Sequence, residues 1–337
     1  MATLNTILGY EYQTRTVQKF RFPNFWFVNQ VGDEPIEGTI AKWDIEKPLI
    51  DLDIDFVTPS GAAQPVQMGG YGTRTQSMPI TFKFMTLDPS VLSQLREVGS
   101  QSTRARAGRS YITREQAAMQ RRFGAYLEEY MLAKALTGTL PIKIQGNSIN
   151  IDYSLPASHA PTASASWATA STDIIADLTD WKRLIRQDSG FEPRWAICNQ
   201  GVMNYLMKNT HVKDLIGSTS YGVQVGQSGQ ITSFHGLQWV VIDSFYAQPG
   251  AVERFDTPFI ANDKLLLLPD FSPEWIAMQR GTVIIPNQSM TDFIELTGPA
   301  MWSRVTDSPT GLTMFYKNAR LPVLRNTNAY VYADVTP

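Results

Sequence analysis

The sequence contains a single cysteine, Cys198, among 337 residues, so no disulfide can form within the chain. It has no apolar run of about eighteen residues, the length that a membrane-spanning helix needs. The first ten residues, MATLNTILGY, lack the basic and apolar segments of a secretory signal. The formal net charge is only −2, which gives no bulk attraction to nucleic acid or to a membrane. These absences favour a globular protein that assembles in a reducing cytoplasm.

Motifs of enzymes and metal sites are also scarce. The chain has no G-x-x-x-x-G-K-[ST] phosphate-binding loop, and GQSG (226–229) lacks the spacing of a nucleophile elbow. The three histidines, His159, His211 and His235, are far apart and form no H-E-x-x-H pair. Cys198 ends an apolar stretch and is expected to pack as a small hydrophobic residue. We therefore expect no catalytic residue, no cofactor and no metal, with a soluble enzyme as a weaker alternative.

Residues 49–56 read LIDLDIDF, in which the carboxylates Asp51, Asp53 and Asp55 alternate with apolar residues. A calcium-binding EF-hand loop needs glycine at its sixth position and glutamate at its twelfth, and these positions hold Phe56 and Ala62. Strict alternation is typical of a half-buried β-strand with the aspartates on one face. We predict a strand whose acidic face meets solvent or a partner.

A second alternating run, residues 78–87, places Ile80, Phe82 and Phe84 on one face. The residues between the two runs, 58–77, are rich in Gly, Pro, Ser, Thr and Gln and offer almost nothing to bury. The two runs therefore predict a long hairpin that projects from the body of the protein.

A long helix is expected next, over residues 113–137. Thr113 and Gln116 have the spacing of a capping box, apolar residues follow at helical spacing, and Gly138 is a natural stop. Residues 146–172, rich in Ala, Ser, Thr and Pro, are interpreted as a boundary or an extended connection.

Residues 173–285 alternate helix and strand patterns, which is typical of a compact α/β module. Asp173 and Gly190 bound an amphipathic helix, and Asn199 is a good N-cap for the next one. The last fifty residues have the pattern of strands.

Charge is unevenly distributed along the chain. Residues 1–60 carry nine acidic and five basic side chains, net −4, whereas residues 61–122 carry three acidic and nine basic ones, net +6. Most of the excess comes from the arginines of one segment, Arg104, Arg106, Arg109, Arg114, Arg121 and Arg122. An acidic strand and a basic segment of this kind are candidates to meet.

Four stretches in this order resemble a known family: FPNFWF (22–27), GTIAKWDIEKPLIDL (38–52), MPITFKFMTLDPSVLSQLREVG (78–99) and TPFIANDKLLLLP (257–269). They resemble the tailed-bacteriophage major capsid proteins of the HK97 fold, and within that fold the lambda-type capsid E family. The resemblance implies an α+β fold with these parts: an N-terminal arm (1–48), an extended E-loop hairpin (49–86), a peripheral domain with a spine helix (87–172, helix 113–137), an α/β axial domain (173–285) and return strands of the peripheral domain (286–337).

The resemblance also implies a function. Such proteins form hexamers and pentamers that tile an icosahedral shell around double-stranded DNA, which they contact non-specifically. The implied partners are other copies of the chain, a separate scaffolding protein, a portal protein and a decoration or cement protein, with assembly in the host cytoplasm and no membrane. An encapsulin-type compartment, which packages protein cargo in a shell of the same fold, is the alternative.

Contacts between subunits are expected for the acidic strand, for the arginine segment, and for aromatic residues of the arm and the hairpin. The resemblance implies that the hairpin lies across a neighbouring subunit, so Asp51, Asp53 and Asp55 are expected to meet the arginine segment, although those arginines could instead touch DNA. The other candidates are the aromatic residues of the arm and the hairpin, Phe22, Phe25, Trp26, Phe27 and Tyr71. Some shells of this fold join a hairpin lysine to a neighbour's asparagine, but the chain has no lysine from Pro48 to Phe82, so we expect no such cross-link.

Overall fold

The computed structural model describes residues 10–20, 22, 25–46, 71–87, 104–144, 147–217, 224–225, 231–246, 257–286, 292–307 and 310–337. Its α-helices are Tyr10–Lys19 (α1), Trp26–Gln30 (α2), Arg104–Met119 (α3), Tyr126–Leu136 (α4), Ile174–Ser189 (α5), Gln200–Lys208 (α6) and Thr210–Gly217 (α7). Its strands up to the α/β module are Asp33–Pro35 (β1), Ile40–Glu46 (β2), Tyr71–Ser77 (β3), Ile80–Leu87 (β4), Thr139–Ile144 (β5) and Asn147–Asp152 (β6). The later strands are Trp195–Cys198 (β7), Gln224–Val225 (β8), Ile231–Phe234 (β9), Leu237–Val241 (β10), Phe245–Tyr246 (β11), Thr257–Pro258 (β12), Lys264–Leu268 (β13), Ile276–Arg280 (β14), Thr282–Pro286 (β15), Phe293–Thr297 (β16), Ala300–Asp307 (β17), Thr310–Leu324 (β18) and Val331–Asp334 (β19).

Two sheets organise the described part of the chain. The first has the order β1-β14-β18-β17, and β4 also pairs with the long strand β18. The second has the order β19-β13-β7-β10-β9-β8 and carries the helices of the α/β module. The apolar side chains of both sheets are buried, and the largest core cluster includes residues of β13, β14, β18 and α4. The mixture of helices and antiparallel strands agrees with the expected α+β class.

The long helix starts earlier than its sequence signature predicts. α3 begins at Arg104, continues through a π-helical segment at Gln120–Ala125 and leads into α4. Thr113 lies inside the helix, so the capping-box spacing at that residue was misleading, since the same spacing also occurs within helices. The end was predicted correctly, because Thr137 is the C-cap and Gly138 has a φ of +90°.

The described strands of the hairpin region differ in part from those that the sequence suggested. β2 pairs with β3 in antiparallel register from Ile40↔Ser77 to Glu46↔Tyr71, although the β3 sequence YGTRTQS was assigned to the loop. β4, the predicted return strand, pairs with β18 from Leu87↔Leu312 to Ile80↔Ala319. The sequence did not predict β3 because β3 is polar on both faces. The strand is held by backbone pairing and shows no apolar period. The predicted strand 49–57 lies outside the described residues.

The connection after the long helix also contains structure that the sequence did not predict. β5 and β6 form an antiparallel hairpin with Thr139 opposite Asp152. The rest of this region is irregular but ordered around Trp167, whose indole Nε1 donates to Asp177 Oδ2 at 2.8 Å.

The α/β module has the predicted elements. Asp173 accepts hydrogen bonds from the backbone of Ile175 and Ala176 at the start of α5, and Gly190 ends that helix with a φ of +74°. Asn199 caps α6 through the Val202 amide. The predicted second helix is two helices, α6 and α7, because the chain becomes extended at Asn209.

The expected boundary at residue 286 does not separate the two sheets. β19, near the C-terminus, pairs with β13 in the sheet of the α/β module. Conversely, β14 precedes residue 286 but pairs with β18 in the first sheet. The chain therefore passes between the sheets more than once, which a division into consecutive segments could not capture.

Candidate assembly surfaces

The long helix is attached to the first sheet by buried charges. The Glu128 carboxylate of α4 accepts hydrogen bonds from Arg320 Nη1 at 2.7 Å and from Arg280 Nη1 at 2.9 Å. Arg280 also pairs with Asp33 of β1 at 2.8 Å. Burial alone would raise the pKa of Glu128, but the two guanidinium groups outweigh it and lower the pKa to about 2. This network fixes the helix to β1, β14 and β18.

The next carboxylate, Glu129, holds the N-terminal segment. Its Oε1 accepts a hydrogen bond from the Phe27 amide at 3.1 Å, and its Oε2 accepts one from the Val28 amide at 2.9 Å. Burial raises the pKa of Glu129 to about 7, despite the backbone hydrogen bonds that favour the ionised form. Glu129 thereby supplies acceptors for the first amides of the short helix α2, which would otherwise be unpaired.

The aromatic residues of the arm pack mainly on their own chain. Phe27 has no exposed surface, and Phe25 is also buried. The Trp26 ring packs edge-on against the rings of Trp195 and Phe271, at 5.5 Å from each. Phe25 and Phe27 therefore cannot serve as the contacts to a neighbouring subunit that the sequence suggested, because the core of their own subunit already covers them. Phe22 is half-buried, with its ring 6.2 Å from that of Phe25.

The predicted contact between the aspartates and the arginines lies partly outside the described residues. Asp51, Asp53 and Asp55 lie outside the described residues, and for Arg104, Arg106 and Arg109 only the backbone of α3 is described. Arg114 is exposed, with its guanidinium 5.2 Å from the Tyr111 ring centre and 3.6 Å from Glu115. Tyr71 opens β3 opposite Glu46. The contact between these acidic and basic segments stays a prediction.

An exposed apolar surface lies on β4 and its neighbours. Ile80, Phe82 and Phe84 share one face of β4, as the alternation predicted, and they are 48%, 53% and 67% exposed. Phe315 of β18 and Trp302 of β17 continue the same face, with ring centres 5.3 Å apart. We call these five residues the aromatic face. The sequence identified the stripe, but it did not indicate that this stripe faces away from the core.

The opposite face of the same strands is covered by helices. Met301, Met314 and Tyr316 are fully buried there, in a cluster with Val17 of α1 and Ile112 of α3. α1 is also held by hydrogen bonds, because Thr14 Oγ1 donates to the Met301 carbonyl at 3.1 Å. Among the described residues, one face of the sheet is therefore packed against helices of its own chain, and the other face carries exposed apolar side chains.

A cavity of about 350 Å³ lies beside the aromatic face. Tyr126, Tyr130 and Met131 of α4 form one wall, and Ile142 of β5 and Ile80 of β4 contribute to the other. Its lining is mostly apolar. Ile80 belongs to both surfaces, so the aromatic face and the cavity are continuous.

The described residues contain no cluster of three or more potential metal ligands. His159 is buried, with its ring nitrogens 2.8 Å from the Tyr330 carbonyl and 3.0 Å from Asp188. Cys198 is fully buried, and burial raises the pKa of its thiol to about 12, so it packs as predicted and does not react. Among the helices that the structure describes, none is long and apolar enough to cross a membrane.

This architecture is found in phage capsid proteins and in an encapsulin. A putative prophage capsid protein of Escherichia coli CFT073 superposes with a TM-score of 0.62 at 15% identity, over 98% of this chain and 99% of that one. The capsid protein of cyanophage P-SCSP1u gives 0.54 at 12% identity, over 94% and 89%. An encapsulin of Synechococcus elongatus gives 0.53 at 10% identity, over 94% and 88%. The chain thus has the HK97-type fold of phage capsid and encapsulin shells.

The sequence itself defines the family within this fold. The family model of phage major capsid protein E matches residues 52–282, which is more than half of the chain. The chain belongs to this family, and it is a shell-forming major capsid protein of a tailed phage, with a structural role and no enzymatic one. No curated protein sequence matches it significantly.

Proposed function

We propose that copies of this chain assemble into hexamers and pentamers, and that these rings close an icosahedral shell around double-stranded DNA. The observation that carries the proposal is the family match over residues 52–282. The exposed apolar surface supports it, since a soluble protein that works alone rarely leaves such a large continuous apolar patch uncovered.

The partners follow from the same proposal. Copies of the chain contact one another at every ring and between rings, while the DNA is held inside without sequence preference. We further propose a separate scaffolding protein that guides assembly, a portal protein at one vertex and a decoration or cement protein on the outer surface. Assembly takes place in the cytoplasm of the host.

An encapsulin-type compartment is the second candidate, because an encapsulin shares the fold over 94% of this chain. The two functions differ in what the shell contains. A phage shell encloses nuclease-protected DNA once the other phage proteins are present, whereas an encapsulin encloses a protein cargo. The match to the capsid protein E family favours the phage shell.

The contents of isolated particles test the proposal. Particles are purified from host cells that produce this chain together with the other phage proteins, treated with nuclease and then opened with denaturant. We expect double-stranded DNA of uniform length to be released. Particles that release a single abundant cargo protein and no protected DNA would support the encapsulin alternative instead.

A further inference from the structure

The aromatic face has the composition of a buried interface, although nothing in its own chain covers it in the described part of the structure. The Phe82 ring stacks on Trp302 at 5.9 Å and on Phe315 at 6.1 Å, and the Phe84 ring lies 6.1 Å from Phe315. Mutual stacking holds these rings in fixed positions before any partner arrives, which lowers the ordering cost of binding. Tryptophan and other aromatic residues are typical centres of protein interfaces.

The charges around this face are positive. Arg304 follows Trp302 by two residues on the same face of β17 and is exposed. Lys317 lies next to the rings on β18, with its Nζ 5.8 Å from the Phe82 ring centre. A partner for this surface must therefore offer apolar side chains together with carboxylates.

The chain itself carries such a surface at another place. At the start of β16, Phe293 is 73% exposed. The carboxylates Asp292 and Glu295 are close to it in sequence, and both are exposed. Two different surfaces with complementary chemistry on one molecule are suited to a head-to-tail contact, which is the kind of contact that closes subunits into rings.

We propose that the aromatic face is an interface between subunits and that a second copy of this chain covers it in the assembled shell. This inference rests on the proposed function, because it takes the assembled partner to be another copy. The aromatic rings supply the buried centre of the contact, and Arg304 and Lys317 supply the charged rim. The cavity bordered by Ile80 extends the same surface towards α4.

The experiment measures whether Phe84 becomes covered when copies of this chain assemble. In the Phe84→Cys variant the new thiol lies on an exposed position, while the native Cys198 is fully buried and serves as an internal control. The rate of reaction with a small maleimide is compared between unassembled subunits and assembled shells, and denatured shells show that the thiol itself stays reactive. We expect the thiol at position 84 to react at least about tenfold more slowly in shells than in unassembled subunits. The wild-type chain should stay unreactive in both states.

The possible outcomes separate this inference from the proposed function. If wild-type shells form and the thiol at position 84 reacts equally fast in subunits and shells, this inference is wrong and the proposed function stands. The same conclusion follows if shells form but the thiol becomes protected only after a further phage protein binds to them, since the occupant is then not a second copy. If the wild-type chain assembles neither alone nor with a scaffolding protein, both proposals fall. If only Phe84→Cys fails to assemble while its melting curve matches the wild type and Phe84→Tyr assembles, the interface is supported.

Discussion

At the scale of single residues, Glu128 is the group on which the attachment of the long helix depends. Arg320, which it binds, is almost fully buried, so loss of the carboxylate charge leaves a buried guanidinium uncompensated, whereas Arg280 still pairs with Asp33. We predict that Glu128→Gln lowers the free energy of unfolding by roughly 3–5 kcal/mol in denaturant titrations.

A matched control is available on the surface. Glu192 pairs with Arg186 through two hydrogen bonds, but both side chains are about half exposed or more. Glu192→Gln should therefore cost only about 0–1 kcal/mol. If Glu128→Gln and Glu192→Gln lowered the free energy of unfolding equally, the structural role given to Glu128 would be contradicted.

Glu129 is expected to make the free energy of unfolding depend on pH. Its pKa is raised from 4.5 to about 7 in the folded state, so between these values the folded protein holds a proton that the unfolded chain has released. The stabilisation is fully present below about pH 4.5 and is lost as the pH rises through 7, by ~3 kcal/mol in total. Unfolding titrations at pH 5 and pH 7.5 should show this decrease in the wild type and lose most of it in Glu129→Gln. An unchanged difference in the variant would mean that another group titrates.

At the scale of elements, the segment around α2 belongs to the core of its own subunit. Phe27 is fully buried under α4, whereas Phe84 on β4 is 67% exposed. We predict that Phe27→Ala lowers the free energy of unfolding by ~3–5 kcal/mol, because it leaves a cavity in the core. The same truncation at the exposed position, Phe84→Ala, should change it by less than about 0.5 kcal/mol in unassembled subunits. A stable Phe27→Ala variant would restore the sequence-based view that this segment lies on a neighbour.

Elements with their own local signals were predictable from the sequence. The caps at Asp173 and Asn199, the stop at Gly138 and the apolar strand β13 each depend on a few adjacent residues. The strand β3 was missed because its pairing with β2 depends on backbone contacts between distant segments. The alternation of Ile80, Phe82 and Phe84 likewise predicted that these side chains share one face of the strand. It did not predict which face of the sheet other segments of the chain cover.

At the scale of the whole molecule, the hairpin sequence bears on how a shell is held together. No lysine occurs from Pro48 to Phe82, the part of the hairpin sequence that follows Lys42 of β2 and Lys47, so this part lacks the amine that would form an isopeptide bond to a neighbour. We predict that mature shells boiled in detergent migrate as a single monomer band on a denaturing gel. A ladder of covalent multimers would contradict this. Stability must then come from noncovalent contacts or from a decoration protein.

The candidate assembly surfaces were predictable only in part, because they depend on contacts between segments that are distant in sequence or on another molecule. A sequence shows which residues could share a face, but the partner of an intersubunit surface is another molecule and leaves no local period in the chain. Arg114 and the aromatic stripe of β4 could be identified in advance as exposed or apolar. The buried positions of Phe25 and Phe27 could not, since they depend on contacts with α4 that are distant in sequence.

The central claim is that this chain forms shells from copies of itself. The most direct test is the mass distribution of the purified chain in analytical ultracentrifugation, with negative-stain images of each species. We predict ring-sized species and closed particles far heavier than the 37.7 kDa subunit, with further particles when a scaffolding protein is supplied. A chain that remains a 37.7 kDa monomer at all concentrations, with and without scaffolding protein, would contradict the claim.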